Sequence, residues 1–311
     1  MPDGDLDMRV RLAAFAFLAE QVQVHGEVLP ARVLRQGFSF QGQRVQLKGP
    51  QGIFKPAILP EMPLSITTAA PEPNRPQPYD DSFTPDGSFL LYRYRGTNPA
   101  HHENIGLRRA MELRRPLVYF HGVVKGDYAA VWPVFVVGDE PKALRFRVTI
   151  DDAEHVSDGL LGAADSVEPL RRRYITVATR QRLHQRTFRA RVLQAYLERC
   201  ALCRLHHEQL LDAAHIVPDT DPRGEPVVAN GVALCKLHHA AFDQHFLGIR
   251  PDYVIQISRA ILDEHDGPML VHGLQGFHGQ RLRLMPRNPE QRPRPDFLDQ
   301  RYQAFLAAEA R

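Results

Sequence analysis

Apolar positions near the amino terminus recur at helical spacing. Leu6, Val10, Ala13, Phe15, Leu18 and Val22 are interleaved with Asp7, Arg9, Arg11 and Glu20, which predicts an amphipathic helix over 6–24. From about 27 the pattern shortens and alternates, and FSFQGQRVQL (38–47) and PLSITTA (63–69) read as strands. SFLLYRY (88–94), RPLVYFHGVV (115–124), AAVWPVFVV (129–137) and LRFRVTI (144–150) repeat the strand signature, with NIGLRRAMEL (104–113) helical among them. Short strands joined by glycine-containing turns predict an open or closed β-barrel rather than a parallel α/β sheet. The proline-rich run APEPNRPQP (70–78) reads as a rigid connector or a long loop within this domain.

Residues 151–169 are polar, acidic and glycine-containing, the pattern of a boundary between domains. A length of 311 residues gives each half enough chain to bury its own interior. Beyond the boundary, Phe188, Val192, Leu193, Tyr196 and Leu197 take up helical spacing. The tail then predicts a strand in DYVIQIS (252–258) and a closing helix from Asp296. This organisation is α+β: a β-rich domain over 1–150, a linker over 151–175, and a second domain over 176–311 entered through a helix.

Charge sharpens the picture locally. The net charge is only +3, yet residues 171–199 carry nine arginines against one acid, Glu198. Within that stripe Arg182, Arg186 and Arg189 fall close to one helical face, a surface suited to phosphates. Arg223 and Lys236 are further candidates for phosphate contact. Three cysteines, no amino-terminal apolar run and no membrane-length apolar stretch point to a reducing, cytoplasmic setting with no membrane partner. There, clustered Cys and His bind metal more often than they form disulfides.

The chemistry concentrates between 200 and 246. Cys200-Ala-Leu-Cys203 is followed about thirty residues later by Cys235-Lys-Leu-His238, the spacing of a Cys3His structural zinc site closed by four ligands. His206 and His207 are rival fourth ligands. His239 and Asp243, one helical turn apart, can grip a separate ion that keeps open positions for water and a phosphate oxygen. Strand alternation places His215 with Ala213 on one face and Asp212 with Ala214 on the other, so Asp212 is the weaker candidate ligand.

The run AHIVP…NGVALCKLHHAAFD resembles the HNH (ββα-metal) endonuclease family, restriction-type members in particular. The resemblance covers roughly 176–295 and includes the basic helix RQRLHQRTFRARVLQAYLERC (180–200). It implies a catalytic set of His215, Asn230 and His239. His215 would be the general base, and Asn230 would brace the loop and orient His215 through hydrogen bonds. His239 and Asp243 would hold Mg²⁺ or another divalent ion. Many relatives carry a ligand immediately before the base, where this chain has Ala214; Asp212 and His245 are the substitutes available for a third ligand.

The amino-terminal segments YDDSFTPDGSFLLYRYRG and PLVYFHGVVKGDYAAVWPVFVV are similar to PUA-like or SRA-like readers of modified bases. A flipped base needs aromatic faces and hydrogen-bonding groups. Tyr79, Asp80, Asp81, Tyr119, Tyr128 and Trp132 are the residues from which such a pocket would be built, with Tyr94 and Phe120 nearby. Together these resemblances imply a modification-dependent restriction enzyme acting on double-stranded DNA that carries a modified cytosine. The alternatives are an HNH nuclease with ordinary sequence recognition and an inactive zinc-stabilised DNA-binding protein. One single-metal centre per chain further implies a homodimer for cutting both strands.

Overall fold

The computed structural model describes residues 6–70, 82–150, 168–265 and 267–310, with the backbone alone for 168–174. The chain divides into two compact units, 1–186 and 187–311. Most of the expected linker, and part of the proline-rich run, lie outside the described residues.

In the first unit the predicted amino-terminal helix is α1 (Leu6–His25). Its Val10, Ala14, Phe15 and Leu18 form a stripe buried against Val118, Phe120, Ala130 and Phe135 of the sheet. Arg11 on this helix is fully buried, yet its charge is met by Asp7 at 2.6 Å and by the carbonyls of Pro63 and Pro116. The rest of the unit follows as β1 (Val28–Pro30), α2 (Ala31–Gln36), β2 (Phe38–Phe40), β3 (Gln43–Val45), β4 (Ile53–Phe54) and β5 (Ser65–Thr68). After them come β6 (Ser82–Phe83), β7 (Leu90–Arg93), α3 (His102–Glu112), β8 (Leu117–Val124), β9 (Asp127–Glu140) and β10 (Arg145–Ile150).

The sheet has eight strands in the order β4-β5-β8-β9-β10-β7-β6, with β1 added against the start of β9. Only β5 and β8 pair in parallel among the described residues. Among the described residues it ends at β4 and β6 and does not close into a barrel. Near-continuous burial along β8 explains its apolar sequence, since a strand covered on both faces has no polar side to alternate with. The segment 38–47, expected as one strand, is a hairpin. Gln41 and Gly42 both adopt left-handed φ angles (50° and 77°), the requirement of a tight two-residue turn between β2 and β3.

The division between the units falls within α4 (Glu168–Ala195). The second unit continues with β11 (Leu211–His215), β12 (Gly231–Cys235), α5 (Lys236–Asp243), β13 (Leu247–Ile249) and β14 (Ile255–Ile257). It ends with α6 (Arg259–Leu262), α7 (Pro268–Gly273) and α8 (Pro295–Glu309). β11 and β12 pair antiparallel from Leu211↔Cys235 to His215↔Gly231, and α5 begins immediately after β12. This ββα element rests on a core of Phe188, Val192, Leu193 and Tyr196 from α4 and the turn after it, with Leu211, Val232, Leu234 and Phe242. No helix among the described residues is long and apolar enough to cross a membrane.

Candidate active site

The two knuckles meet because β12 delivers Cys235 to the residue just before α5, which puts His238 in the first helical turn. Cys200 and Cys203 occupy a tight turn fixed to β12 through Ala201, whose N–H donates to the Ala233 carbonyl at 2.7 Å. The His238 Nδ1 lies 3.3 Å from the Cys200 Sγ and 3.1 Å from the Cys235 Sγ, and the Cys203 and Cys235 sulfurs are 4.0 Å apart. All four donor atoms fall within 4.8 Å of one another. A tetrahedral ion with metal–sulfur bonds near 2.3 Å would hold its ligand atoms roughly 3.5–3.8 Å apart, so the set fits zinc. The His238 Nε2–H donates to the Gly273 carbonyl at 2.8 Å, which fixes the tautomer and leaves Nδ1 free to ligate. Crowding makes the thiols share protons. Hydrogen bonds from Cys203 and Cys235 hold the Cys200 thiol well below its ordinary value, while those with Cys200 and Cys203 push Cys235 up. His206 and His207 are exposed and outside this group, which His238 completes.

His215 ends β11 opposite Gly231. Its ring stacks on Phe188 of α4, with centroids 3.9 Å apart and planes inclined by 15°. The lack of a side chain at Gly231 makes room for this stack, because a Cβ there would lie 2.5 Å from Val192 and 2.8 Å from Phe188. Burial lowers the His215 pKa below the ordinary histidine value. Asp219 opposes that shift, His239 adds to it, and Asp243 opposes it. Burial therefore favours the neutral imidazole, and its charge is coupled to those on α5.

Asn230 is fully buried, and its side chain is fully engaged. Its Oδ1 accepts from the Val217 N–H at 2.9 Å, and its Nδ2 donates to the carbonyls of Val217 and Glu225, each at 3.0 Å. Asn230 ties down the loop that follows His215 and bonds to its backbone two residues on, rather than to the imidazole.

On α5, His239 presents Nε2 to Asp243 at 3.2 Å and Nδ1 to Asp212 at 3.5 Å. The two carboxylates thus flank opposite ring nitrogens, and Asp212 does not share the nitrogen that faces Asp243. Burial would raise the Asp212 carboxyl, but hydrogen bonds from His239 and Lys236 outweigh it and hold the group well below the usual carboxylate range. Asp212 reaches His239 and Lys236 of α5 and Arg189 of α4, whereas the His215 ring stacks on Phe188 of α4. The Asp243 carboxylate also lies 3.6 Å from the Arg301 guanidinium of α8, a residue the sequence pattern did not single out. The Nδ1 of His245 is buried without a hydrogen-bond partner, and its ring feels the Asp243 charge. Ala214 is fully buried in the core, and its methyl group offers no donor to a metal ion.

The expected DNA-contact residues are largely engaged within their own unit. Arg186 makes a two-pronged pair with Glu27 at 2.7 and 2.5 Å. Arg189 meets Glu208, Asp212 and the Leu211 carbonyl. Lys236 pairs with Asp212 at 2.8 Å, Arg182 donates to Thr179, and Arg223 lies 3.8 Å from Asp221.

Of the expected base-pocket residues, Tyr79, Asp80 and Asp81 lie outside the described residues. Tyr119 is buried and bonded to Thr68 and His121. Tyr128 and Trp132 pack with the core under α1, together with Phe120. In the β8–β9 register Phe120 faces Ala130 and Gly122 faces Tyr128, so Tyr119 projects to the other side of the sheet. These three aromatics cannot line one pocket.

Residues 200–250 match the family model described as HNH endonuclease. No curated protein matches the chain. Among solved structures, similarity is found to a modification-dependent restriction endonuclease, TagI. It has 16% identity, a TM-score of 0.29, and coverage of 78% of this chain and 81% of that one. A second is the type IV phosphorothioation-dependent restriction endonuclease ScoMcrA, at 14% identity and a TM-score of 0.20, covering 79% of this chain and 50% of the other. Neither likeness is close enough to bear on what this chain cuts.

Proposed function

With residues 200–250 an HNH endonuclease domain, we propose that this nuclease hydrolyses phosphodiester bonds in double-stranded DNA, with His215 as general base. The observation that carries the reading is His215 on β11, its ring stacked on Phe188 and within electrostatic reach of His239 and Asp243. A base must be unprotonated to take a proton from the attacking water, and burial favours that state of His215. Asn230 holds the loop behind it, so the ring keeps its aim.

His239 Nε2 and Asp243 Oδ2, 3.2 Å apart on one helical turn, are a nitrogen and an oxygen donor that suit a divalent ion. Such an ion would polarise the scissile phosphate and stabilise the leaving oxygen. Asp212 then serves as a positioning residue: by facing Nδ1 it turns Nε2 toward Asp243, as a carboxylate behind a ligating histidine does. Cys200, Cys203, Cys235 and His238 would hold a structural zinc that pins the ends of the ββα element.

The finer reading is that the first unit recognises DNA carrying a modified cytosine. Its support is the sequence resemblance of 79–96 and 116–137 to modified-base readers. The test compares cleavage of matched DNA with and without modified cytosine, in Mg²⁺ or Mn²⁺, by the full chain and by His215→Ala. Cleavage of the modified duplex alone, lost in the variant, is the expected result. Equal cutting of both removes the modified-base reading and keeps the nuclease, while full cutting by His215→Ala removes the assignment of the base.

A further inference from the structure

The arginines that the sequence pattern brings forward are mostly matched by carboxylates, whereas a second basic group, scattered in sequence, is not. Arg32 and Arg35 lie one turn apart on α2 and are exposed. Arg44, on β3, is brought beside them by donating to the carbonyls of Gln36 (2.8 Å) and Arg35 (3.3 Å). These three, with Gly37, Phe38 and Ser39, surround an open cavity of about 680 Å³.

The walls are fixed by the backbone. Gly37 has φ +60°, and a Cβ on it would fall 1.9 Å from the Val45 carbonyl oxygen, so only glycine lets α2 run this closely into the β2–β3 hairpin. Among the described residues no carboxylate pairs with Arg32, Arg35 or Arg44, in contrast to Arg186, Arg189 and Lys236. Behind the cavity the Lys48 ammonium lies 4.9 Å over the Tyr128 ring, and burial and then the Arg35 charge lower its pKa. Three guanidiniums without carboxylate partners around one open, concave space repel one another, and an anion relieves that repulsion. On a protein that acts on phosphodiesters, the anion of matching charge and repeat is the substrate backbone.

We propose that Arg32, Arg35 and Arg44 form a phosphate-docking groove that holds the DNA backbone against the first unit. The groove rests on the DNA reading of the nuclease but involves none of its catalytic residues. Occupancy would also bring the exposed tip of the β2–β3 ribbon, Gln41 to Gln43, to the edge of the duplex, and a two-stranded ribbon fits the major groove.

The test uses the full chain carrying His215→Ala, so that DNA is bound and not cut, and follows fluorescence anisotropy of a labelled duplex over a salt series. Adding Arg32→Gln, Arg35→Gln and Arg44→Gln together should weaken binding by roughly tenfold or more. It should also flatten the slope of log affinity against log salt by about 0.9 for each phosphate no longer neutralised. The corresponding triple lysine variant, which keeps the charges, should retain most of the slope. Arg109→Gln, an exposed arginine already paired with Glu112, should behave like the parent. Arg32→Gln with Arg35→Gln alone, which leaves the Arg44 bonds to the carbonyls of Gln36 and Arg35 in place, should keep the parental thermal melt and still flatten the slope. Parental affinity and slope in a folded glutamine variant overturn the groove while leaving the nuclease reading intact. A parent that binds no duplex at any salt overturns both.

Discussion

At the scale of single residues the pH dependence of cleavage is the most discriminating property. A base whose pKa lies below the ordinary histidine value of about 6.5 is active when deprotonated, so the rate should fall only as pH drops through that lowered value. The acid limb of the pH–rate profile is therefore expected below about pH 6.5, with activity level above it until another group intervenes. Two substitutions should move the limb in opposite directions. Asp219→Asn removes a charge that favours the protonated ring, so the limb shifts further down. Phe188→Ala opens the stacked face to water and relieves the burial that lowers the pKa, so the limb shifts up. Profiles that respond to neither substitution would show that His215 is not the titrating base. Asp212→Asn tests a different role. If this carboxylate orients His239, its removal should raise the Mg²⁺ or Mn²⁺ concentration needed for half-maximal cleavage by about 10–100-fold, the usual effect of deleting a partner behind a metal-binding histidine. A change in rate at saturating metal alone would contradict that role.

At the scale of elements, the ββα unit was legible because its chemistry is local. Cys235, His238, His239 and Asp243 fall within nine consecutive residues, so the motif itself specifies β12 and the helix that follows. The apolar periods likewise announced α1 and the long strands β8, β9 and β10. What the pattern missed depends on contacts between distant segments: Phe188 behind His215, Gly273 behind His238, and Arg301 beside Asp243. The base-pocket aromatics show the same limit, since their residue types fit the role but the strand register places them on opposite faces. Ala214 looked like a missing ligand in sequence, yet its side chain lies in the core, and Asp212 reaches the other nitrogen of His239 instead. The packing of α4 on the strands yields a further prediction. Gly231→Ala is not strained at φ −130°, but the added methyl collides with Val192 and the Phe188 ring. Overpacking of this kind costs about 1–3 kcal/mol, so the urea midpoint should fall, and cleavage should fall with it because the displaced ring is the one on which His215 rests. A stable variant with full activity would mean that the stack can be rebuilt without Gly231.

At the scale of the whole molecule, each unit has a core of its own: one centred on α1 and the sheet, the other on α4 and the ββα element. The Cys3His group belongs to the second alone. Structural zinc sites carry binding free energies on the order of 10 kcal/mol. A strong chelator should therefore lower the melting transition of the 187–311 unit in calorimetry and leave that of 1–186 in place. The HNH family model matches this chain at residues 200–250, and one such centre would act on one strand at a time. We propose that two copies, related by a two-fold axis, face the two strands when both are cut, because such an axis matches the strand symmetry of the duplex. On supercoiled plasmid this predicts an open circle at low enzyme concentration. The share of linear product should then rise with enzyme concentration more steeply than the rate of nicking, and two chains should sediment with a short cleavage-resistant duplex. An open circle that persists at every concentration, with one chain per duplex, would instead assign the molecule to nicking as a monomer.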